Sequence, residues 1–89
     1  MDKKYDPNQI KILVRLHAIL RTLKPTEPDG GIWLVLPKDA TISDAVHSLQ
    51  LPRMEMVFSL NSKMVGDETV LQAGDELDII PAISGGSDR

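Results

Sequence analysis

Two adjacent acidic pairs, Asp67-Glu68 and Asp75-Glu76, are the first residues of the chain whose types could do chemistry. Neighbouring carboxylates in different surroundings can divide general-acid and general-base work between them. Each pair, however, follows a turn glycine, in "VGDET" and "AGDEL", and that context favours solvated turn residues over a catalytic pair. The two histidines, His17 and His47, lie far apart in sequence with no His-x-x-x-His or carboxylate-histidine cluster beside them, so no metal site is expected. The chain has no cysteine, which excludes a disulfide framework, a thiolate zinc site and a cysteine nucleophile. A phosphate-cradling Gly-x-x-x-x-Gly-Lys loop, a Gly-x-Ser-x-Gly elbow and a dinucleotide fingerprint are all missing. Met54 and Met56 could form an adaptable binding surface, but their alternation with Phe58 and Leu60 points to core packing. What remains as a reactive group is the backbone.

The elements that must position such a group are legible from hydrophobic periodicity. In "IKILVRL", Ile10, Ile12, Val14 and Leu16 alternate with Lys11, Leu13 and Arg15, which predicts a strand buried on one face. "HAILRTL" shifts to helical spacing for about two turns and stops before the loop "KPTEPDGG". "GIWLVLP" predicts a second strand, hairpin-paired to the first, with Ile32, Leu34 and Leu36 on one face and Trp33 and Val35 on the other. A helix follows in "DATISDAVHSLQL", where Ile42, Ala45, Val46 and Leu49 form a stripe and Thr41 stands as N-cap with Asp44 three residues on. "MEMVFSL", a short strand at Lys63 to Val65, and a last strand through Leu77, Ile79 and Pro81 complete the order, with turns at Asn61-Ser62 and Gly66-Asp67. A helix joining strands of one sheet predicts an α+β fold: a mixed sheet with one main helix packed across one face.

The totals narrow the function. At 89 residues the chain is expected to form one domain, with a polar leader over 1–9, a body over 10–81 and a tail over 82–89. Hydrophobic content of 42% against 26% charged residues is that of a folded soluble domain, and a body this small has little material for an elaborate catalytic pocket. The net charge of -3 provides no basic footprint for a phosphate backbone, so nucleic acid is not an expected partner. The apolar run from Ile10 to Leu20 is broken by Lys11, Arg15 and His17, which argues against a signal peptide or membrane span and makes the cytoplasm the expected compartment.

The stretch from about Ile10 to Gly86 resembles the ubiquitin-like sulfur-carrier proteins, the group that includes the molybdopterin synthase small subunit and the thiazole-pathway sulfur carrier. The likeness is carried by "IKILVRLHAILRTL", "ATISDAVHSL", "SLNSKMV" and, most specifically, "VLQAGDELDIIPAISGG". It implies a β-grasp fold and a protein cosubstrate, not a stand-alone enzyme. It further implies that the reactive position is Gly86, with Gly85 beside it and Pro81, Ala82, Ile83 and Ser84 forming the partner-binding tail. In that family a ubiquitin-activating-like enzyme uses ATP to adenylate the terminal glycine carboxylate, and a sulfur-donor enzyme converts it to a thiocarboxylate. A large synthase subunit is a further implied partner, no cofactor is bound by the carrier itself, and "LHAILRTL" leans toward the molybdopterin branch over the thiamine one.

The physical logic agrees. Five residues from Ala82 to Gly86 reach roughly 16 to 18 Å when extended, far enough to enter a partner's active site. Glycine lacks a Cβ and can thread a narrow channel. A bare double glycine carries little weight, since Gly30-Gly31 sits where a turn explains it; Gly85-Gly86 gains its weight from following the last strand. The departure from the family pattern is Ser87-Asp88-Arg89, which places the Gly86 carbonyl in an amide. Either a peptidase removes these three residues, or the protein is a non-covalent ubiquitin-like interaction domain. Joining Gly86 to a lysine, as a protein modifier does, is the other alternative use of the same ending.

Overall fold

Strands form here because one face of each can be buried, and the alternation is followed residue by residue. The computed structural model describes residues 8–23 and 30–82. Strand β1 spans Gln9–Leu16, with Ile10, Ile12, Val14 and Leu16 buried and Lys11 exposed between them. Strand β2 spans Gly31–Pro37 and pairs antiparallel with β1 in the register Ile12 to Leu34 and Leu13 to Trp33. After β1 the chain forms a 3-10 helix over Ala18–Thr22, five residues where the spacing predicts about two helical turns. Only Leu20 of that turn is buried, and a single apolar anchor cannot support a longer helix.

Strands β3 (Met56–Leu60) and β4 (Lys63–Val65) form a hairpin through Asn61 and Ser62, both at positive φ (50° and 74°), as a two-residue turn of the primed type requires. The last strand, β5, spans Glu76–Pro81 and inserts between β1 and β3. The sheet order is β2-β1-β5-β3-β4, with β1 and β5 parallel and every other pair antiparallel. This is the expected mixed sheet, and its centre is the strand that leads into the tail.

Helix α1 (Ile42–Ser48) covers one face. Its first turn is closed by a capping box: the Asp44 N–H donates to Thr41 Oγ1 at 3.2 Å and the Thr41 N–H donates to Asp44 Oδ2 at 2.9 Å. Ile42, Ala45 and Leu49 are buried and Val46 packs beside them, the stripe that the spacing predicts. At the far end Gln50 adopts a left-handed conformation (φ 55°), which stops the helix. The chain after β4 is laced to the helix start, with Ile42 N–H donating to the Thr69 carbonyl (3.0 Å) and Leu71 N–H to the Ala40 carbonyl (2.8 Å). That lacing brings Leu71 into the core beside Leu77 and Ile79, where each full aliphatic side chain contributes about 1.5 to 3 kcal/mol by leaving water.

One packing expectation needs correction. Met56 is half-buried against the core as its alternation predicts, but Met54 precedes the strand and is exposed at 38%. Pairing with β5 does not extend β3 back to residue 54, so the period of two has no sheet to act on there. No helix among the described residues is long and apolar enough to cross a membrane.

Candidate functional site at the exit of the central strand

The site is built by the strand that ends last. Pro81, buried at the end of β5, lies opposite Met56, and the Ala82 N–H continues the ladder by donating to the Glu55 carbonyl at 2.9 Å. The backbone is therefore held up to Ala82 by an antiparallel neighbour. On the other side β1 ends level with it: Leu16 is in register with Ile79, and the His17 N–H donates to the Ile79 carbonyl at 3.2 Å. The 3-10 turn then carries exposed Ile19 and Leu23 beside that end of β5. Exposed apolar side chains therefore stand on the two segments that flank β5, Ile19 in the 3-10 segment with Leu23 at its C-cap, and Val57 in β3 with Met54 just before it.

The sheet face away from α1 carries the charge. Arg15 of β1 meets Glu76 of β5 with Nη1 to Oε1 at 3.2 Å, and His17 Nε2 lies 2.9 Å from Asp78 Oδ1. Both pairs join neighbouring parallel strands, and they sit in a rank that ends at the tail. Exposed Trp33 (58%) and Val35 line the β2 edge of this face, with Lys11 Nζ 5.2 Å from the Trp33 ring centroid in a cation-π contact.

The structure places the remaining candidates as follows. Asp75 and Glu76 are not merely solvated. Asp75 Oδ2 accepts the Gln72 N–H at 2.8 Å, Asn61 Nδ2 donates to Asp75 Oδ1 at 3.0 Å, and Asn61 Oδ1 accepts the Glu76 N–H at 2.9 Å. The acidic pair is an anchor that ties the start of β5 to the β3-β4 hairpin, a role its sequence setting gave no means of seeing. Asp67 and Glu68 lie exposed on a turn, as expected. His17 and His47 are on different layers, one on the sheet's open side and one on α1, and among the described residues no group of three or more metal-ligating side chains exists. Ile83, Ser84, Gly85 and Gly86, together with Ser87 to Arg89, lie outside the described residues. The frame around the exit, by contrast, is a product of strand order, and the one sequence signal for it is that Ile19 and Leu23 are apolar residues with no stripe to join.

Comparison with known proteins places this geometry. The HVO 2177 protein of Haloferax volcanii superposes with a TM-score of 0.74 at 20% identity, covering 96% of this chain and 94% of that one. SAMP1 of the same organism gives 0.66 at 21% identity, over 85% of this chain and 99% of that one. A putative molybdopterin converting factor, subunit 1, from Pyrococcus furiosus gives 0.65 at 17% identity, over 83% and 99%. At these identities the likeness shows a shared fold, the β-grasp arrangement that the mixed sheet and single helix describe. No curated protein matches the sequence. The profile of the ThiS family, however, matches residues 14–86, well over half of the chain. With the fold and this match in agreement, the chain belongs to the ThiS family and has the ubiquitin-like fold of its small sulfur carriers and modifiers.

Proposed function

We propose that the protein is a sulfur carrier whose reactive atom is the carbonyl carbon of Gly86, exposed as a carboxylate by removal of Ser87-Asp88-Arg89. The observation that carries this reading is where the family match stops: it runs through the central strand and the "AISGG" that follows it and ends on Gly86, leaving three residues outside. A partner of the ubiquitin-activating type binds ATP, and the Gly86 carboxylate attacks the α-phosphorus to form an acyl-adenylate with loss of pyrophosphate. Hydrosulfide supplied by a donor enzyme then attacks the Gly86 carbonyl carbon and displaces AMP, leaving a thiocarboxylate. The carrier supplies no catalytic side chain. Its contribution is a rigid sheet that holds the strand up to Ala82 and a frame of apolar side chains against which a partner can seat while the tail enters its site. The molybdopterin branch is favoured, supported by the fold shared with the Pyrococcus protein, and a large synthase subunit is the accepting partner in that case.

The test is intact mass. The chain ending at Gly86 is expected to gain the mass difference between sulfur and oxygen when incubated with its activating enzyme, ATP and sulfur donor, and the chain carrying Ser87-Asp88-Arg89 is expected to stay unchanged. An unmodified Gly86 chain sinks the carrier reading.

A second reading is supported by the fold shared with SAMP1, a small archaeal modifier protein of Haloferax volcanii. In that reading the same adenylate is attacked by a lysine amine, forming an isopeptide bond and releasing AMP. Tagged protein recovered as lysine conjugates that vanish on deletion of Gly86 favours the modifier; thiocarboxylate without conjugates favours the carrier.

A further inference from the structure

The two edges of the sheet differ in kind. β4 is an edge of three residues that carries exposed Lys63, a short and charged end of the sort that resists pairing with another chain. β2 is the other edge, seven residues long, in unbroken register with β1 from Gly31 to Pro37 and without a polar or charged side chain. Its middle is fully covered on neither face. Ile32 and Leu34 are half-buried on the helix side, and on the open face Val35 is 52% exposed and Trp33 58%, even with Lys11 over its ring. A strand apolar on both sides has the composition of one with a neighbour at each hand. The Leu16 N–H donates to the Gly30 carbonyl and the Lys38 N–H to the Asn8 carbonyl, so alternation along the ladder turns Ile32, Leu34 and Leu36 toward β1. The peptide groups of Trp33 and Val35 point outward, where a further strand would meet them.

We propose that this edge pairs with the same edge of a second copy, antiparallel about a two-fold axis at Leu34. In that register Trp33 of one copy and Val35 of the other exchange both backbone hydrogen bonds, and Pro37, which has no N–H, ends the ladder. The occupant is a second copy because a strand laid here needs apolar residues on both faces. Among the strands of this sheet β2 alone has that composition: β1, β4 and β5 carry charge, and β3 carries Ser59. Pairing sets Trp33 beside Val35 on the open face, an aromatic against a β-branched side chain, and Leu34 against Leu34 on the helix side. Covering Trp33 and Val35 on both copies removes on the order of 500 Å² from water, well below the roughly 1,200 Å² at which stable interfaces begin. The pair is therefore reversible, a monomer when dilute and a dimer when concentrated. β1 separates the paired edge from β5, so the strand that leads into the tail keeps its surroundings in either state and the inference stands apart from the carrier reading.

Sedimentation of the full chain from about 10 μM to about 1 mM reads the pairing. The expected result is a monomer that passes to a dimer across this range, with the Trp33 and Val35 amides gaining protection from hydrogen exchange as it does. Val35→Lys places a charge on the edge at an exposed position that the fold tolerates, and is expected to weaken dimerisation about tenfold or more. Met64→Lys on the opposite edge is expected to leave it unchanged. A chain that stays monomeric throughout overturns the proposal and leaves the edge to a strand of another protein. So does a dimer that Val35→Lys does not weaken, or that both lysine variants weaken equally. The register is tested with a single thiol, since the chain has no native cysteine. Leu34 faces its own copy across the axis as a non-hydrogen-bonded pair, with Cα atoms about 4.5 Å apart and within disulfide reach. Leu34→Cys is expected to give a covalent dimer under mild oxidation several-fold faster than Val57→Cys on β3, and equal rates, the mark of random collision, sink the self-pairing.

Discussion

A Cβ built on Gly30 would stand 2.6 Å from the Leu16 carbonyl oxygen, between backbones tied by the Leu16 N–H donating to the Gly30 carbonyl at 2.9 Å, and Gly30 has φ +87°. Gly74 has nearly the same φ, +86°, but nothing within 4 Å of an added Cβ. The two positions separate conformational strain from steric clash. Gly74→Ala is expected to cost about 1 kcal/mol, the strain of a left-handed alanine, and Gly30→Ala about 2 kcal/mol or more, because backbone has to move as well. Urea midpoints of the two variants check the order, and equal losses would remove the clash argument. Asn61→Ala, which strips two hydrogen bonds from Asp75 and Glu76, is expected to lower stability by about 1 to 2 kcal/mol in the same assay. Residues of this kind mark the limit of reading from sequence. Gly30 looks like any turn glycine, and Asp75-Glu76 looks solvated, because the groups that define them lie 14 and 61 positions away along the chain. Local spacing carries no information about a partner brought in by a distant strand.

Elements fared better wherever one face is buried, since burial imposes the period that reveals them. β1, β2 and β5 were legible for that reason, and so was α1, whose stripe and Thr41 cap act together. The 3-10 segment was legible as helical but not in its type: "AILRT" has helical spacing, but Ala18 sits at φ 56° and only Leu20 is covered, so it stays short and tight. Helix α1 has seven residues and cannot hold itself without its cap and its face on the sheet. Thr41→Ala removes the bond from the Asp44 N–H, with an expected loss of about 1 kcal/mol. A lower denaturant midpoint with an unchanged slope is the signature of that change. Thr41→Ser keeps the hydroxyl and is expected to recover most of it; failure of serine to do so would show that the methyl group, and not the cap, matters.

At the scale of the molecule, stability is concentrated in the middle of the sheet. Ile79 is fully buried at its centre and Met64 is 66% exposed on the edge strand β4. Ile79→Ala is expected to cost about 2 to 5 kcal/mol, and Met64→Ala to stay within about 0.5 kcal/mol. Calorimetric midpoints give the contrast, and comparable shifts would mean that the core is not where the strand order puts it. The strand order itself was the least legible part of the fold, because antiparallel and parallel neighbours leave the same alternation in β5. That order sets a timetable for synthesis. β1 leaves the ribosome first, yet its parallel neighbour β5 is made last, and until residues 76–81 are available β1 and β3 have no strand to join them. The sheet closes only when the segment leading into "AISGG" has been translated. A chain cut before residue 76 would therefore leave β1 and β3 with no common neighbour and one side of the core open.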